Sequence, residues 1–255
     1  MADPSVDLFG AVAAAYAQHR PTYPAAWFGR FAARCGHRRR VWDCGCGNGQ
    51  ASLALAEVFD EVVATDASPN QIEEAIAHPR IRYSCAPASA SGLPAGSVDA
   101  VLVAQAVHWF AGEAFNAEVL RVARPGAVLA WIGYLTPQLP DPELQERFDR
   151  FYGDTLQPWW APERDWVDRR YAGLPFPGQE WPFPDDLQIE RHWSLEAFLN
   201  YLATWSAVES AQRHGEHVLA GLEQELISQW PEQGQRPLLI RWPLMGRWGP
   251  IHPET

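Results

Sequence analysis

Val41-Trp42-Asp43-Cys44-Gly45-Cys46-Gly47-Asn48-Gly49 is the stretch around which the rest of this chain is organised. Val41 and Trp42 read as the end of a buried strand. Three glycines then alternate, and the apolar run Ala51 to Val58 follows with helical spacing. Glycine at 45, 47 and 49 lets the backbone turn sharply and come close to a ligand without a Cβ in the way. The helix N-terminus directly behind offers free N–H groups. A glycine-rich turn alone can also serve nothing more than strand-to-helix geometry. This one is sharpened by a second strand-like run, Val62-Val63-Ala64-Thr65, which ends on Asp66, 21 residues past Gly45. That is near the spacing at which an acid at the tip of the second strand meets ribose hydroxyls in nucleotide-binding α/β folds.

The dinucleotide fingerprint wants Gly-x-Gly-x-x-Gly, whereas this chain has Gly-x-Gly-x-Gly preceded by an acid, Asp43. An acid on the rim repels a pyrophosphate and attracts a ligand that carries an ammonium group. The stretch resembles the first motif of the class I S-adenosylmethionine-dependent methyltransferases, roughly apolar-Asp-x-Gly-x-Gly-x-Gly. By that resemblance Gly45, Gly47 and Gly49 pass the methionine part of S-adenosylmethionine, Asp66 and Ala67 meet the ribose side, and S-adenosylhomocysteine is the product.

At 255 residues and 47% apolar content, the chain is long enough for one α/β domain with a sizeable core. Its 20 cationic residues are all Arg, against 31 Asp plus Glu. A chain without Lys cannot form an internal Schiff base or a P-loop Lys contact, which removes pyridoxal enzymes and Walker-type hydrolases. A formal charge of −11 argues against a nucleic-acid partner, since phosphate neutralisation needs a basic face. The run Arg38-Arg39-Arg40 reads as a solvated entry to the first strand. Cys35, Cys44, Cys46 and Cys85 fit neither a disulfide scaffold nor a zinc knuckle, so no metal is expected. With no basic leader and no apolar run of about 18 residues, the expectation is a cytoplasmic protein with no membrane partner. The oligomeric state stays open.

Taken in order, 10–20 reads as a helix of small residues ended by Pro21 and Pro24, and 25–35 as an amphipathic helix carrying Trp27, Phe28 and Phe31. Beyond Asp66, Ser68-Pro69 starts a helix over 70–77. A third strand, Ile81 to Cys85, comes next. Val98 to Ala104 is a continuous apolar run of the kind buried on both faces. A helix over 113–122 and a strand over 127–134 follow. Strands and helices alternating in this way predict a doubly wound, Rossmann-like α/β sheet. Two more strands are expected, over 187–193 and 236–243, with helices over 194–206 and 214–229 between them. His214 and His217 read as an exposed pair.

Further motifs extend the resemblance. Tyr16-Ala-Gln-His-Arg-Pro-Thr-Tyr-Pro24 and Ala104-Gln-Ala-Val-His-Trp-Phe110 are similar to signatures of the trans-aconitate methyltransferase-like small-molecule subfamily. Arg121-Val-Ala-Arg-Pro-Gly126 matches the family's entry to its fifth strand. The resemblance implies a single domain over 1–255 with seven strands, the last antiparallel. It also implies an N-terminal helical lid segment over 1–38, in which Tyr16, Arg20 and Tyr23 touch cofactor or acceptor. Gln105 and Trp109 then meet the cofactor. Where the family usually places an acid for the adenine amino group, this chain offers Ser89, or Ser91 in the other alignment.

From Thr136 to about Asp185 the composition turns to Pro and Trp, with helices expected over 141–156 and 162–172 and the Trp159-Trp160 turn between them. An insertion after the fifth strand is read as a substrate cap; an oligomer interface is the other reading. The expected reaction is methyl transfer to a small organic acceptor through a carboxylate, hydroxyl or ring nitrogen. For a carboxylate, Arg20 and Arg164 are the bidentate clamps. For a hydroxyl or ring nitrogen, His108 is the base that chemistry and position offer. Trp159 and Trp160 are the expected acceptor-contacting aromatics. The rival readings are a nicotinamide-dependent oxidoreductase on the same fold and a non-catalytic cofactor-binding interaction protein.

Overall fold

The strand predicted at the glycine-rich stretch forms as β1 (Arg40–Cys44), and residues 41–44 are all buried, as expected of a central parallel strand. In the computed structural model, which describes residues 20–251, six further strands join it. They are β2 (Glu61–Asp66), β3 (Ile81–Cys85), β4 (Val98–Ala104), β5 (Ala123–Tyr134), β6 (Gln188–Trp193) and β7 (Leu238–Pro250). The sheet order is β3-β2-β1-β4-β5-β7-β6. The first five strands are parallel, and β7 runs antiparallel to both β5 and β6. The predicted helix over 10–20, and with it Tyr16, lies outside the described residues except for Arg20.

Side chains alternate across the sheet with the two-residue period of a strand. Along β5, Val128, Ala130 and Ile132 join one buried cluster, while Leu129 and Trp131 join the other. Helices pack on both faces. α1 (Ala25–Arg34) buries Trp27, Phe28, Phe31 and Ala32. Each of these apolar residues is removed from water at roughly 25 cal/mol per Å² of apolar surface. α2 (Gln50–Ala56) follows the glycine loop. α3 (Pro69–Glu73) is capped by Ser68, whose hydroxyl accepts from Gln71 N–H, with Pro69 at the first position. α4 (Glu113–Val122) leads into β5. α3 is shorter than the predicted 70–77 because the chain peels away to the glycine loop, where Ile76 N–H donates to the Asn48 carbonyl at 3.2 Å.

Three other boundaries differ from expectation. The helix expected over 194–206 ends at Ala203, giving α6 (Leu195–Ala203); a new helix, α7 (Ser206–Arg213), starts after Thr204 and Trp205. The helix expected over 214–229 is confined to α8 (Val218–Ile227), because Gly215 turns the chain with φ +84°. β7 runs seven residues beyond the predicted end at Pro243. Pro243 stands where the strand exchanges partners: 238–243 pairs with β6 and 244–250 with β5. Proline has no N–H to donate, so its pairing with Leu135 is one-sided: its carbonyl accepts from Leu135 N–H at 3.0 Å.

The Pro/Trp-rich segment leaves the end of β5 and forms α5 (Pro142–Arg150), capped by Asp141. This helix runs into a π turn (Phe151–Thr155), so the predicted helix over 141–156 is nearly continuous. The one predicted over 162–172 is broken into single turns at Pro162–Arg164 and Asp165–Asp168, before Arg170 and Tyr171 take φ +55° and +61°. Among the described residues, no helix is long and apolar enough to cross a membrane.

Candidate cofactor and acceptor sites

Order reverses in the sheet between β1 and β4, and ligands in open α/β sheets sit outside the strand carboxyl ends at such a point. Two neighbouring cavities lie there. The first, of ≈ 200 Å³, is walled by the glycine loop, Asp66 and Ala67 at the tip of β2, and Gln105 and Trp109 beyond β4. The second, of ≈ 80 Å³, is walled by His108, Trp160, Arg164, Tyr201 and Trp205 among others. Arg20, Gln105, Trp109 and Tyr134 face both.

The glycine loop is tied down through its backbone. Gly45 and Cys46 N–H groups donate to the Thr65 carbonyl at 2.8 and 3.0 Å, and Gly47 N–H donates to Asp66 Oδ2 at 2.8 Å. Ser68 N–H holds the other carboxylate oxygen at 2.9 Å. Gly45 (φ +71°) admits no side chain, because a Cβ there would lie 2.7 Å from that of Ala106. Gly49 (φ +92°) caps α2, and a Cβ there would run into the Tyr83 ring. Gly45 and Gly47 face the first cavity, whereas Gly49 serves the turn behind it.

Asp43 is not on the rim, as the sequence suggested, but fully buried beneath the loop. Ser52 donates to its Oδ2 at 2.5 Å, and its Oδ1 has no hydrogen-bond partner although the residue faces the first cavity. Burial pushes its carboxyl up to about 7, with the neighbouring Asp66 charge adding to the rise. An orphaned carboxylate oxygen on a cavity wall suits a cationic ligand group, the fit expected for the ammonium of S-adenosylmethionine.

Neither serine offered for the adenine side lines the first cavity. Ser89 is exposed and off the wall, while Ser91 is buried and committed to Glu118, its hydroxyl donating to Oε1 at 2.5 Å. Ala86 and Ala88 face the cavity instead, because the chain after β3 turns its small residues inward. Tyr23 joins the first cavity rather than the second, with its ring 5.8 Å from that of Tyr134.

Around the second cavity, Arg20 Nε donates to Thr204 Oγ1 at 3.1 Å and its Nη2 to the Thr204 carbonyl at 2.9 Å. Arg164 lies 5.2 Å over the Trp160 ring, donates to the Tyr152 hydroxyl at 3.2 Å and approaches Asp168 at 3.5 Å. His108 sits in a 3₁₀ turn (Val107–Trp109), its ring 4.9 Å from Trp109, and its Nδ1 is buried without a partner. Burial, with Arg164 and Arg20 adding repulsion, holds its imidazole down to about 3. Trp159 is not on this wall. Its ring packs 5.2 Å from His214, so of the predicted Trp pair Trp160 alone faces the cavity.

The sequence reading passed over Ser52, Tyr134, Thr204, Tyr201 and Trp205. Ser52 carried a signal, nine positions after Asp43 on the first turn of the following helix. Thr204 and Trp205 carried none, because they lie inside a stretch whose apolar pattern reads as one helix. Among the described residues, no group of three or more His, Cys, Asp or Glu could hold a metal ion.

Residues 42–131 match a family model described as a methyltransferase domain. Over 225 residues the chain is 30% identical to a putative methyltransferase of Dictyostelium discoideum, covering 87% of this chain and 85% of that protein. The chain belongs to the methyltransferase family. A solved structure of a putative type II methyltransferase from Anaeromyxobacter dehalogenans is 45% identical, with a TM-score of 0.84, covering 92% of this methyltransferase and 99% of that chain. An uncharacterized methyltransferase of Mycobacterium tuberculosis is 38% identical over 128 residues, 49% of this chain and 51% of that one. The matched domain contains the glycine loop, Asp66 and His108, and it stops before the Pro/Trp-rich segment.

Proposed function

We propose that this methyltransferase carries a methyl group from S-adenosylmethionine, held in the first cavity, to a small organic acceptor held in the second. The observation that carries this reading is the wall the two cavities share, formed by Arg20, Gln105, Trp109 and Tyr134. A donor and an acceptor lodged on its two sides meet there. Gly45 and Gly47 bring bare backbone to the methionine part, Asp43 faces its ammonium, and Asp66 has lone pairs left for the ribose hydroxyls after accepting from Gly47 and Ser68. When bound, the cofactor supplies an electrophilic methyl carbon on an already charged leaving group. The chain's own task is therefore alignment and exclusion of water. Trp109 supports this with a ring face that attracts a sulfonium by roughly 0.5 to 2 kcal/mol.

The segment 136–185 acts in this reading as the acceptor cap, through Trp160 and Arg164, and 20–38 as part of an N-terminal lid, through Arg20 and Tyr23. The test is calorimetric titration with S-adenosylhomocysteine beside NADH. Uptake of the nucleoside thioether and not of the nicotinamide supports the reading; the reverse result overturns it.

A further inference from the structure

The Pro/Trp-rich segment sends one side chain to the back of the wall that the two cavities share. Tyr171 is fully buried and lines neither cavity. Its ring lies 6.4 Å from that of His108 and within 14° of parallel to it. Its hydroxyl stands over Gly133 on β5: a Cβ on Gly133 would lie 2.9 Å from the Tyr171 oxygen and 3.2 Å from Gln105 Oε1. The bare backbone of Gly133 therefore leaves one spot where a phenol and a carboxamide come together.

Both ends of this arrangement carry backbone strain. Arg170 and Tyr171 have φ +55° and +61°, and Gln105, just past β4, has φ +53°. Residues with side chains rarely adopt that left-handed backbone, and those that do gather where function requires them. Each end is fastened. Tyr171 N–H donates to the Trp166 carbonyl at 2.7 Å, and the Tyr171 carbonyl accepts from Arg247 Nη1 at 3.1 Å. Gln105 N–H donates to the Ile132 carbonyl at 2.9 Å, and its Nε2 to the Tyr134 carbonyl at 3.1 Å.

Between these ties the Tyr171 hydroxyl is buried with no hydrogen-bond partner. Packing alone gives no reason for it, because phenylalanine has the same ring and no polar atom to leave unsatisfied. Burial pushes the phenol well above its ordinary range, so it keeps its proton and is a hydrogen-bond donor, not a base. The acceptor beside it is Gln105 Oε1, on a residue that faces both cavities.

Resting on the methyl-transfer reading above, we propose that Tyr171 is a positioning residue of this methyltransferase: with the nucleoside bound, its O–H donates to Gln105 Oε1 and locks the carboxamide on the shared wall. Because Nε2 is already on the Tyr134 carbonyl, the carboxamide is then held at both of its polar atoms and presents one fixed face to the donor. Tyr171 acts from behind the wall, touching neither donor nor acceptor. It also lies beyond the matched domain, 42–131, so this support comes from the Pro/Trp-rich segment.

The experiment titrates S-adenosylhomocysteine calorimetrically into the full chain as wild type, Tyr171→Phe, Gln105→Met and the double variant, and melts each without ligand. Tyr171→Phe is expected to melt at or above the wild-type temperature, relieved of an unsatisfied hydroxyl, and yet to bind S-adenosylhomocysteine about fivefold more weakly. In the Gln105→Met background the same change should bring no further loss, because the partner oxygen is gone. If Gln105→Met fails to fold, Gln105→Asn, which draws the oxygen back by one methylene and suits a left-handed backbone, is the second background and should give the same result. An early melt of ligand-free Tyr171→Phe would assign the hydroxyl to the fold and overturn the proposal. Unchanged affinity in Tyr171→Phe, or a loss that repeats in full in the Gln105 background, overturns it as well. No uptake by the wild type overturns the methyl-transfer reading and the proposal with it, whereas wild-type uptake with an unaffected Tyr171→Phe removes the proposal alone.

Discussion

The two cavities are built by opposite strategies. The first rests on backbone groups and neighbours in sequence: the glycine loop, the β2 tip and the turn after it, joined by contacts such as Gly47 to Asp66, 19 positions apart. The second is gathered from distant parts of the chain, its longest tie joining Arg20 to Thr204 across 184 positions. A site made of backbone geometry tolerates little change and announces itself in a motif. A site made of converging side chains can be re-tuned residue by residue, which is the freedom an acceptor pocket needs within one family.

The contrast is broken most severely at Gly45. In Gly45→Val, the positive φ and the 2.7 Å approach to Ala106 leave no room for a branched side chain. S-adenosylhomocysteine affinity should drop about a hundredfold or more by calorimetry, a loss in the range of severe local strain. Asp66→Ala removes the tie to Gly47 and Ser68 together with the proposed ribose partner. It should cost about 1 to 3 kcal/mol of nucleoside affinity and leave acceptor discrimination intact. In the second cavity, Trp160→Ala takes away the ring under Arg164 and should raise the acceptor KM by the equivalent of roughly 0.5 to 2 kcal/mol, with nucleoside affinity nearly unchanged.

Protonation sharpens the comparison further. Asp43, in the first cavity, is pushed up to about 7, mainly by burial, so the folded apo protein holds a proton there that the unfolded chain has given up. Its contribution is full at low pH and is lost as pH rises through about 7. His108, in the second, is held down to about 3, so its contribution is full above its ordinary range, roughly 6.5, and is lost as pH falls toward 3. Thermal melts of the apo protein should show Asp43→Asn gaining stability relative to wild type from pH 5 to pH 8, by a few degrees. His108→Gln should gain in the opposite direction. The smallest effect is expected from Trp159→Ala. With its ring turned to His214, acceptor KM should stay within about twofold of wild type, against the larger shift at Trp160.

What could be read in advance follows the same division. The parallel strands, the glycine loop and Asp66 were legible because each is a local pattern with its own period or spacing. Ser68 and Ser194 were legible as helix caps for the same reason, and their hydroxyls accept from Gln71 and Ala197. The length of β7 was not, because Pro243, Gly246 and Gly249 look like breakers. They are tolerated because the strand changes partner at Pro243 and because the backbones of Trp131 and Gln179 crowd the two glycines. Arg20, His108, Trp160 and Arg164 could be nominated from sequence, and the fold brings all four to one wall. Ser89 and Trp159 were nominated by position in a pattern, and side-chain direction placed both elsewhere.

β7 also fastens the Pro/Trp-rich segment at both of its ends. Near the start, Gln138 and Arg241 exchange backbone hydrogen bonds at 2.7 and 3.1 Å; near the finish, Trp181 N–H reaches the Trp248 carbonyl at 2.9 Å. A loop riveted at two points to one strand cannot swing open like a door. If the segment caps the second cavity as proposed, its freedom to move lies in its middle, around the broken turns from Trp159 to Tyr171, while both seams on the strand hold.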